Sequence, residues 1–378
     1  MSVTMRAAAV PAWARWAASD AYSVGLEEEV MLLSPEEDWC LAQRLDEINP
    51  LLSAGLTDQI SGETHDAVLE LTTRPHASAL SAAGEAATLR ERLSAELEPL
   101  GPRAASAGTH PCAIWSDTQI ASGARHQDVY AAMRELARRE PTFGLHVHVG
   151  VTDPESAITL HNRLRTHLPL LLALSANSPF WQGRDSGLAS ARTPLFQAFP
   201  RVGPPRAFDD YADYVETVDR LLRCGAFPDP TYLWWEVRPQ PKFGTVEVRV
   251  MDAQSESWAT RSLAALVQMI ARLELQDGYH SQPVSGNPEV LTENRFLAVR
   301  DGMEASLIDP VAETRVPARV LLERVLEAAG PHAAALGAES ALKDIRRLAD
   351  EPGAARQRQA RVFGQPLSAV LGWLADVF

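Results

Sequence analysis

Cysteine is scarce in this chain. Its 378 residues include three, Cys40, Cys112 and Cys224, far apart and with no CxxC pair. That excludes a disulfide framework and a structural zinc site of ordinary spacing, and it fits a reducing compartment. Long hydrophobic runs are missing too. The most apolar stretch, residues 168–174, is far shorter than the roughly 20 residues that span a bilayer. The Ala-rich segment 1–23 lacks a cleavage pattern and is interrupted by Arg15, so it reads as a leading arm, not a signal peptide. Positive charge is in deficit: 35 Lys and Arg stand against 49 Asp and Glu, a formal charge of −14. Such a chain is a poor partner for nucleic acid or an anionic membrane. No GxxxxGK[ST] loop and no GxGxxG after a strand is present, so neither a P-loop nor a dinucleotide site is supported. Repeats, low-complexity tracts and linker-like stretches are absent as well. The balance of 46% hydrophobic and 22% charged residues is ordinary for a globular protein. A cytoplasmic protein is the expectation.

Strand-like alternation occurs over 22–33, 67–73, 143–151, 233–238 and 245–251, the last two predicting a hairpin around Gly244. A further short strand is expected within 104–108. Helical spacing predicts helices over 78–100, 126–140, 153–176, 208–223, 257–277, 289–302, 315–329, 332–350 and 366–377. Residues 175–198 read as a long polar loop. The strands each have one aliphatic face, unlike the fully apolar strands of a buried parallel sheet. The expected fold class is α+β, a largely antiparallel twisted sheet with helices on one face and a site on the other. The expected organisation is one domain over 1–378, with an arm at 1–21, a sheet-based core at 22–310 and a helical part at 311–378.

Side chains two apart on a strand share a face, roughly 6.6 Å apart at the backbone. Opposite Val24, Leu26, Val30 and Leu32 stand Glu27 and Glu29. Opposite Leu69 and Leu71 stands Glu70. Opposite Leu145, Val147, Val149 and Val151 stand His146 and His148. Opposite Val246, Val248 and Val250 stand Glu247 and Arg249. Glu28 falls on the aliphatic side and is expected at an exposed rim. A merely solvated face would carry mixed flexible charges. Here the set is four glutamates, two histidines and one arginine. At about 4 Å and an effective dielectric near 20, each close carboxylate pair costs on the order of 4 kcal/mol. Divalent cations remove that cost. Carboxylate oxygens with imidazole suit Mg²⁺ or Mn²⁺. An arginine among such carboxylates suits a phosphate, which it clamps bidentately.

These motifs resemble the glutamine-synthetase-like catalytic sheet and, more narrowly, the type-2 glutamate–cysteine ligase (carboxylate–amine ligase) family. The matching pieces are the Gly25-Leu-Glu-Glu-Glu29 segment, Glu63 with Glu70-Leu-Thr-Thr73, the Gly108-Thr-His-Pro111 segment, Gly144-Leu-His-Val-His-Val-Gly150, the segment 175–185, Gly244-Thr-Val-Glu-Val-Arg249 and Glu293-Asn-Arg295. They span roughly 22–310 in the family's order. The resemblance implies a single catalytic domain that binds ATP and two or more Mg²⁺ ions. It implies that Glu27, His146 and Glu247 hold one ion, and that Glu29, Glu63 and Glu70 hold another, with Asp66 an alternative to Glu63. His148 and Arg249, the implied catalytic pair, would meet the phosphates. The implied reaction activates a γ-carboxylate as an acyl phosphate, which an amine then displaces. The partners are small molecules, and a homo-oligomer is left open. Two rival classes stay open: a phosphagen-type guanidino kinase on a related sheet, and a non-catalytic binding relative.

Loop residues carry weaker expectations. Arg184 and Arg192 are candidates for a substrate carboxylate, against solvated loop cations. Arg238 is a candidate anion contact or a packed rim residue, and Trp115 a pocket wall or a core residue. His110 reads as a backbone-bonded structural histidine. The stretch Arg346, Arg347, Arg356, Arg358 and Arg361 reads as a solvated helical surface.

Overall fold

The computed structural model describes residues 10–139, 141–280, 287–361 and 365–378; residues 1–9 of the expected arm lie outside them. The central strand, Val24–Ser34, is flanked on both sides by antiparallel neighbours. Across the sheet the order is Val237–Gln240, Thr245–Asp252, Gly144–Gly150, Val24–Ser34, Val68–Thr72 and Ile60–Gly62. Two short strands, Cys40–Leu41 and Arg103–Ala105, pair with the far end of the central strand and complete eight. All these pairings are antiparallel, as expected from the alternating strands.

Valines on the Gly144–Gly150 and Thr245–Asp252 strands suit a pleated surface. With Leu26, they pack on Leu164, Leu168 and Leu171 of the helix Pro154–Ser175 and on Leu263, Leu266 and Ile270 of the helix Ser257–Gln276. The first of these helices starts where Asp153 caps the Ser156 amide at 2.9 Å, ahead of Pro154 and Glu155. Burying each such aliphatic chain contributes roughly 1.5–3 kcal/mol. A one-residue slip would turn this whole set to the other face. The core therefore fixes the register, and the register fixes where the acids point.

Several expectations are corrected. Segment 175–198 is not one long polar loop. It holds the strand pair Phe180–Trp181 and Arg184–Asp185 and the helix Arg192–Phe196. Buried Asp252 ties it down, accepting from the Asn177 amide at 2.8 Å and from Ser178 and Ser190 hydroxyls at 2.6 and 2.9 Å. Gly108 has to lack a side chain here, because a Cβ would fall 2.6 Å from the Asp252 carboxylate. The expected 126–140 helix is Ala124–Met133 followed by a 3-10 segment, Arg134–Arg138. An unforeseen hairpin, Ser306–Asp309 with Thr314–Pro317, delays the next helix to Ala318–Ala335. That helix stops at Gly337, whose φ of 65° suits glycine, so the expected 332–350 helix is cut to Ala341–Asp350. A helix at Gly353–Ala360 was not anticipated. The basic stretch is partly paired and partly buried: Arg346 meets Glu323, Arg358 meets Asp185, and buried Arg356 meets Glu256. Among the described residues, no helix is long and apolar enough to cross a membrane.

Candidate active site

The strand register gathers the acids. Glu27 lies opposite His146 on one neighbour and Thr72 on the other, and Glu29 lies opposite Glu70. His148 lies opposite Glu247. Glu63 enters from just beyond the edge strand Ile60–Gly62. Asp66, its alternative, faces elsewhere and accepts from the Asp46 amide at 3.1 Å. Together Glu27, Glu29, Glu63, Glu70, Arg238 and Arg249 line a cavity of 810 Å³. Ligand atoms of Glu29, Glu63 and Glu70 lie within 4.8 Å of one another, as the resemblance implies. The second implied trio is drawn differently. Glu27 groups with His148 and Glu247, and separately with His146 and Glu70. Glu27 bridges the two histidines: one oxygen is 3.1 Å from His146 Nδ1, the other 3.2 Å from His148 Nε2. Arg249 stands between His146 and Glu247, donating to Glu247 and lying 3.3 Å from His146 Nδ1.

Crowding shows in the protonation equilibria. Burial, then the Glu29 charge, push the Glu63 carboxyl up to about 7. Burial and the charges of Glu27, Glu63 and Glu29 hold Glu70 well above the usual carboxylate range. Burial alone would raise Glu27 also, but the His148 charge and hydrogen bonds to His146 and His148 outweigh it and lower it. Burial likewise opposes ionisation of Glu247, and there the Arg238 and Arg249 charges win and hold it low. His146 is pushed down, first by burial and then by Arg249. Burial would do the same to His148, but Glu27 and Glu247 overcome it and raise that imidazole. The site thus divides in two. One side has its negative charge matched by arginines; the Glu29–Glu63–Glu70 side does not.

The other candidates separate. Arg238 lines the cavity but spends its guanidinium on Glu247, at 2.7 Å, and on the Leu233 carbonyl, at 2.6 Å. Arg192 is buried and donates to the Val250 and Arg249 carbonyls at 3.3 and 3.4 Å, behind Arg249. Arg184 is exposed and does not line the cavity. Trp115 is 55% exposed and is neither a pocket wall nor a core residue. His110 is structural as expected, its Nδ1 accepting from the Cys112 and Ala113 amides at 3.1 and 2.9 Å. Gln240, which holds Glu247 at 2.6 Å, and the buried Arg295–Glu236 pair beside Arg192 were missed. Gln240 was within reach of the hairpin reading, since it shares a strand face with Arg238 across from Glu247. Arg295 belongs to the Glu293-Asn-Arg295 motif, but its partner Glu236 lies 59 residues away and leaves no local signal.

Glu28 is the plain error. It is 1% exposed, not at a rim. It points into the helix layer, where Arg90 forks onto both its oxygens at 2.9 Å and Thr260 donates at 2.5 Å.

An antiparallel sheet backed by helices, with acids and arginines converging on one cavity, defines an α+β chain with a charged site on the open face of its sheet. Residues 23–369 match the model of glutamate-cysteine ligase family 2, and the chain belongs to that family. A Rubrobacter xylanophilus protein named "Putative glutamate--cysteine ligase 2-1" is 38% identical over 348 residues, covering 90% of each chain. A Sorangium cellulosum relative named "Putative glutamate--cysteine ligase 2" is 36% identical, covering 92% of this chain and 93% of its own. The fold is shared with two solved structures. Francisella tularensis glutamate–cysteine ligase in complex with AMP has a TM-score of 0.68 at 13% identity, covering 96% of this chain and 88% of that one. A bifunctional glutathione synthetase from Pasteurella multocida has a TM-score of 0.71 at 12% identity, covering 94% of this chain and 52% of that one.

Proposed function

We propose that this protein is an ATP-dependent carboxylate–amine ligase acting through an acyl phosphate, with glutamate as the acid and cysteine or a related amine as the acceptor. Family membership supports the class. The observation that carries the site assignment is the Glu29–Glu63–Glu70 cluster, whose ligand atoms converge within 4.8 Å at the cavity wall. Beside it His146 Nε2 is buried without a hydrogen-bond partner, 3.9 Å from Glu29. This donor set of oxygens and imidazole fits Mg²⁺ or Mn²⁺. Glu29, Glu63 and Glu70 would hold one ion, and Glu27 with Glu247 and a histidine another. Such ions supply charge neutralisation on the transferring phosphoryl group.

The chain's own residues do the rest. Arg249, enclosed beside Glu247, is placed to donate to phosphate oxygens as charge moves onto them. His148, buried behind the cavity wall against Glu27, has its basicity raised by Glu27 and Glu247. Arg238 and Gln240 fix Glu247, so that carboxylate cannot swing away. The γ-carboxylate oxygen of the acid attacks the γ-phosphorus and ADP leaves. The amine nitrogen then attacks the acyl carbon, and phosphate departs with the former carboxylate oxygen. A cytoplasmic setting and a single catalytic domain complete this reading.

The test is a screen of the purified chain with ATP, Mg²⁺ and acids and amines in pairs, glutamate and cysteine first. Phosphate release only when both substrates are present, with an amide of matching mass, is expected. A stable phosphorylated amine would make the protein a kinase. No turnover and no ATP binding would leave a non-catalytic relative.

A further inference from the structure

A second cluster lies in the helix layer, away from the cavity. His167 comes from the middle of the helix Pro154–Ser175, Glu274 from the last turn of Ser257–Gln276, and His280 from just beyond that helix. None of the three lines the candidate active site. His167 and the Glu274 carboxylate are fully enclosed, and the His280 side chain is 20% exposed.

Their ligand atoms form a closed triangle. His167 Nε2 is 2.7 Å from Glu274 Oε1, His280 Nδ1 is 2.8 Å from the same oxygen, and the two nitrogens are 3.0 Å apart. With the carboxylate ionised, protons cannot satisfy all three edges. If both nitrogens carry hydrogens toward Oε1, two donors face each other across the third edge. If either loses its hydrogen, its lone pair faces the carboxylate oxygen. A cation that accepts three lone pairs at once satisfies every edge. With metal–ligand bonds of roughly 2.0–2.2 Å, an ion equidistant from the three atoms sits about 1.1–1.5 Å above their plane, and a spread of the ligand atoms by about 0.6 Å opens the tetrahedral angle with a fourth position free. The carboxylate is already oriented for this, because its other oxygen accepts from the His280 amide at 3.2 Å. Tyr279 packs on both rings, with centroids 6.2 Å from His167 and 4.7 Å from His280.

We propose that His167, Glu274 and His280 form a structural binding site for a transition-metal ion of the zinc class, distinct from the oxygen-rich catalytic cluster. Two imidazoles and one carboxylate suit zinc, whereas Mg²⁺ prefers oxygens. Bound there, the ion pins the end of one sheet-supporting helix to the middle of the other.

Cobalt(II) is the probe. The full chain, freed of metal by chelation, is titrated with Co²⁺ in excess Mg²⁺, and visible absorption is followed. One equivalent giving the intense bands of four-coordinate cobalt is expected, with Zn²⁺ abolishing them. His280→Ala removes a partly exposed ligand and should weaken cobalt binding by more than the roughly 10–100-fold typical of merely supporting groups. Its circular dichroism and ligase turnover should match the parent. Glu29→Gln, in the other cluster, should keep the bands. Zn²⁺ should raise the melting temperature of the parent and not that of His280→Ala. Absent or weak six-coordinate bands in the parent, or bands that survive His280→Ala or vanish in Glu29→Gln, overturn the proposal.

Discussion

Replacing Glu28 by glutamine probes the strand register on which the placement of every acid depends. Glu28 and Arg90 are each 1% exposed, and the pair is bidentate. Arg90 is held further by the carbonyls of Gln254 and Ser255, at 2.7 and 3.2 Å. Glutamine keeps the shape but brings an NH₂ group against guanidinium and hydroxyl donors. It also leaves a buried cation without its counter-charge. Removing one partner of a buried pair costs about 3–5 kcal/mol. The two surviving carbonyl contacts put this case at the lower end, about 3 kcal/mol. A chain of 378 residues has an unfolding entropy of about 0.8 kcal/mol per kelvin. The expected drop in melting temperature is therefore about 4 °C. Turnover of the folded variant at 25 °C should stay within about twofold, since a change that leaves the site intact alters energies there by ~0.5 kcal/mol or less. Thermal melts by circular dichroism, paired with turnover, measure both. An apolar pair, Glu28→Leu with Arg90→Met, should recover much of the loss. A Glu28→Gln variant that melts like the parent but has lost activity would mean that Glu28 faces the cavity and the register is off by one.

Other outcomes follow from the site. Activity should vanish in EDTA and return with Mg²⁺ or Mn²⁺; full activity in the chelator contradicts the metal assignment. Mg²⁺ affinity by calorimetry should rise as pH rises through about 7, because below that Glu63 holds a proton that the ion has to displace. The sign for stability is opposite: the folded metal-free chain keeps that proton while the unfolded one loses it near 4.5, so this group's contribution falls as pH rises from 4.5 through 7. Glu63→Gln should weaken both dependences and leave the share of Glu70, whose carboxyl is also raised, and an unchanged pH slope in that variant refutes the assignment. Arg249→Lys keeps the charge but loses the planar fork. It should lower turnover by about 10²-fold with Mg²⁺ affinity within threefold; unchanged turnover reduces Arg249 to a cation on the sheet face.

Much of this was legible because a half-buried strand writes its two faces into alternate residues. Glu27, Glu29, Glu70, His146, His148, Glu247 and Arg249 were placed on one face by parity alone; the register brings the first six together, and Arg249, at an irregularity in its strand, still meets Glu247. Parity also put Glu28 on the aliphatic face. What it could not show was a cation waiting there, because Arg90 lies 62 residues away on a helix. The same blindness hid the Glu236–Arg295 pair and misjudged Arg184, Arg192 and Trp115, whose positions depend on how segments distant in sequence dock. Helix ends were lost where tertiary pairing intervened, as when Thr314–Pro317 joined Ser306–Asp309 instead of starting a helix.

The central claim is that the acid substrate's own carboxylate takes the phosphoryl group. Glutamate labelled with ¹⁸O in its γ-carboxylate, incubated with the enzyme, ATP, Mg²⁺ and cysteine, puts that claim to a single measurement. The account predicts that each phosphate released carries one ¹⁸O atom, read by mass spectrometry, and that one amide forms per phosphate. Phosphate free of label, or phosphorus found on the amine nitrogen, would contradict it.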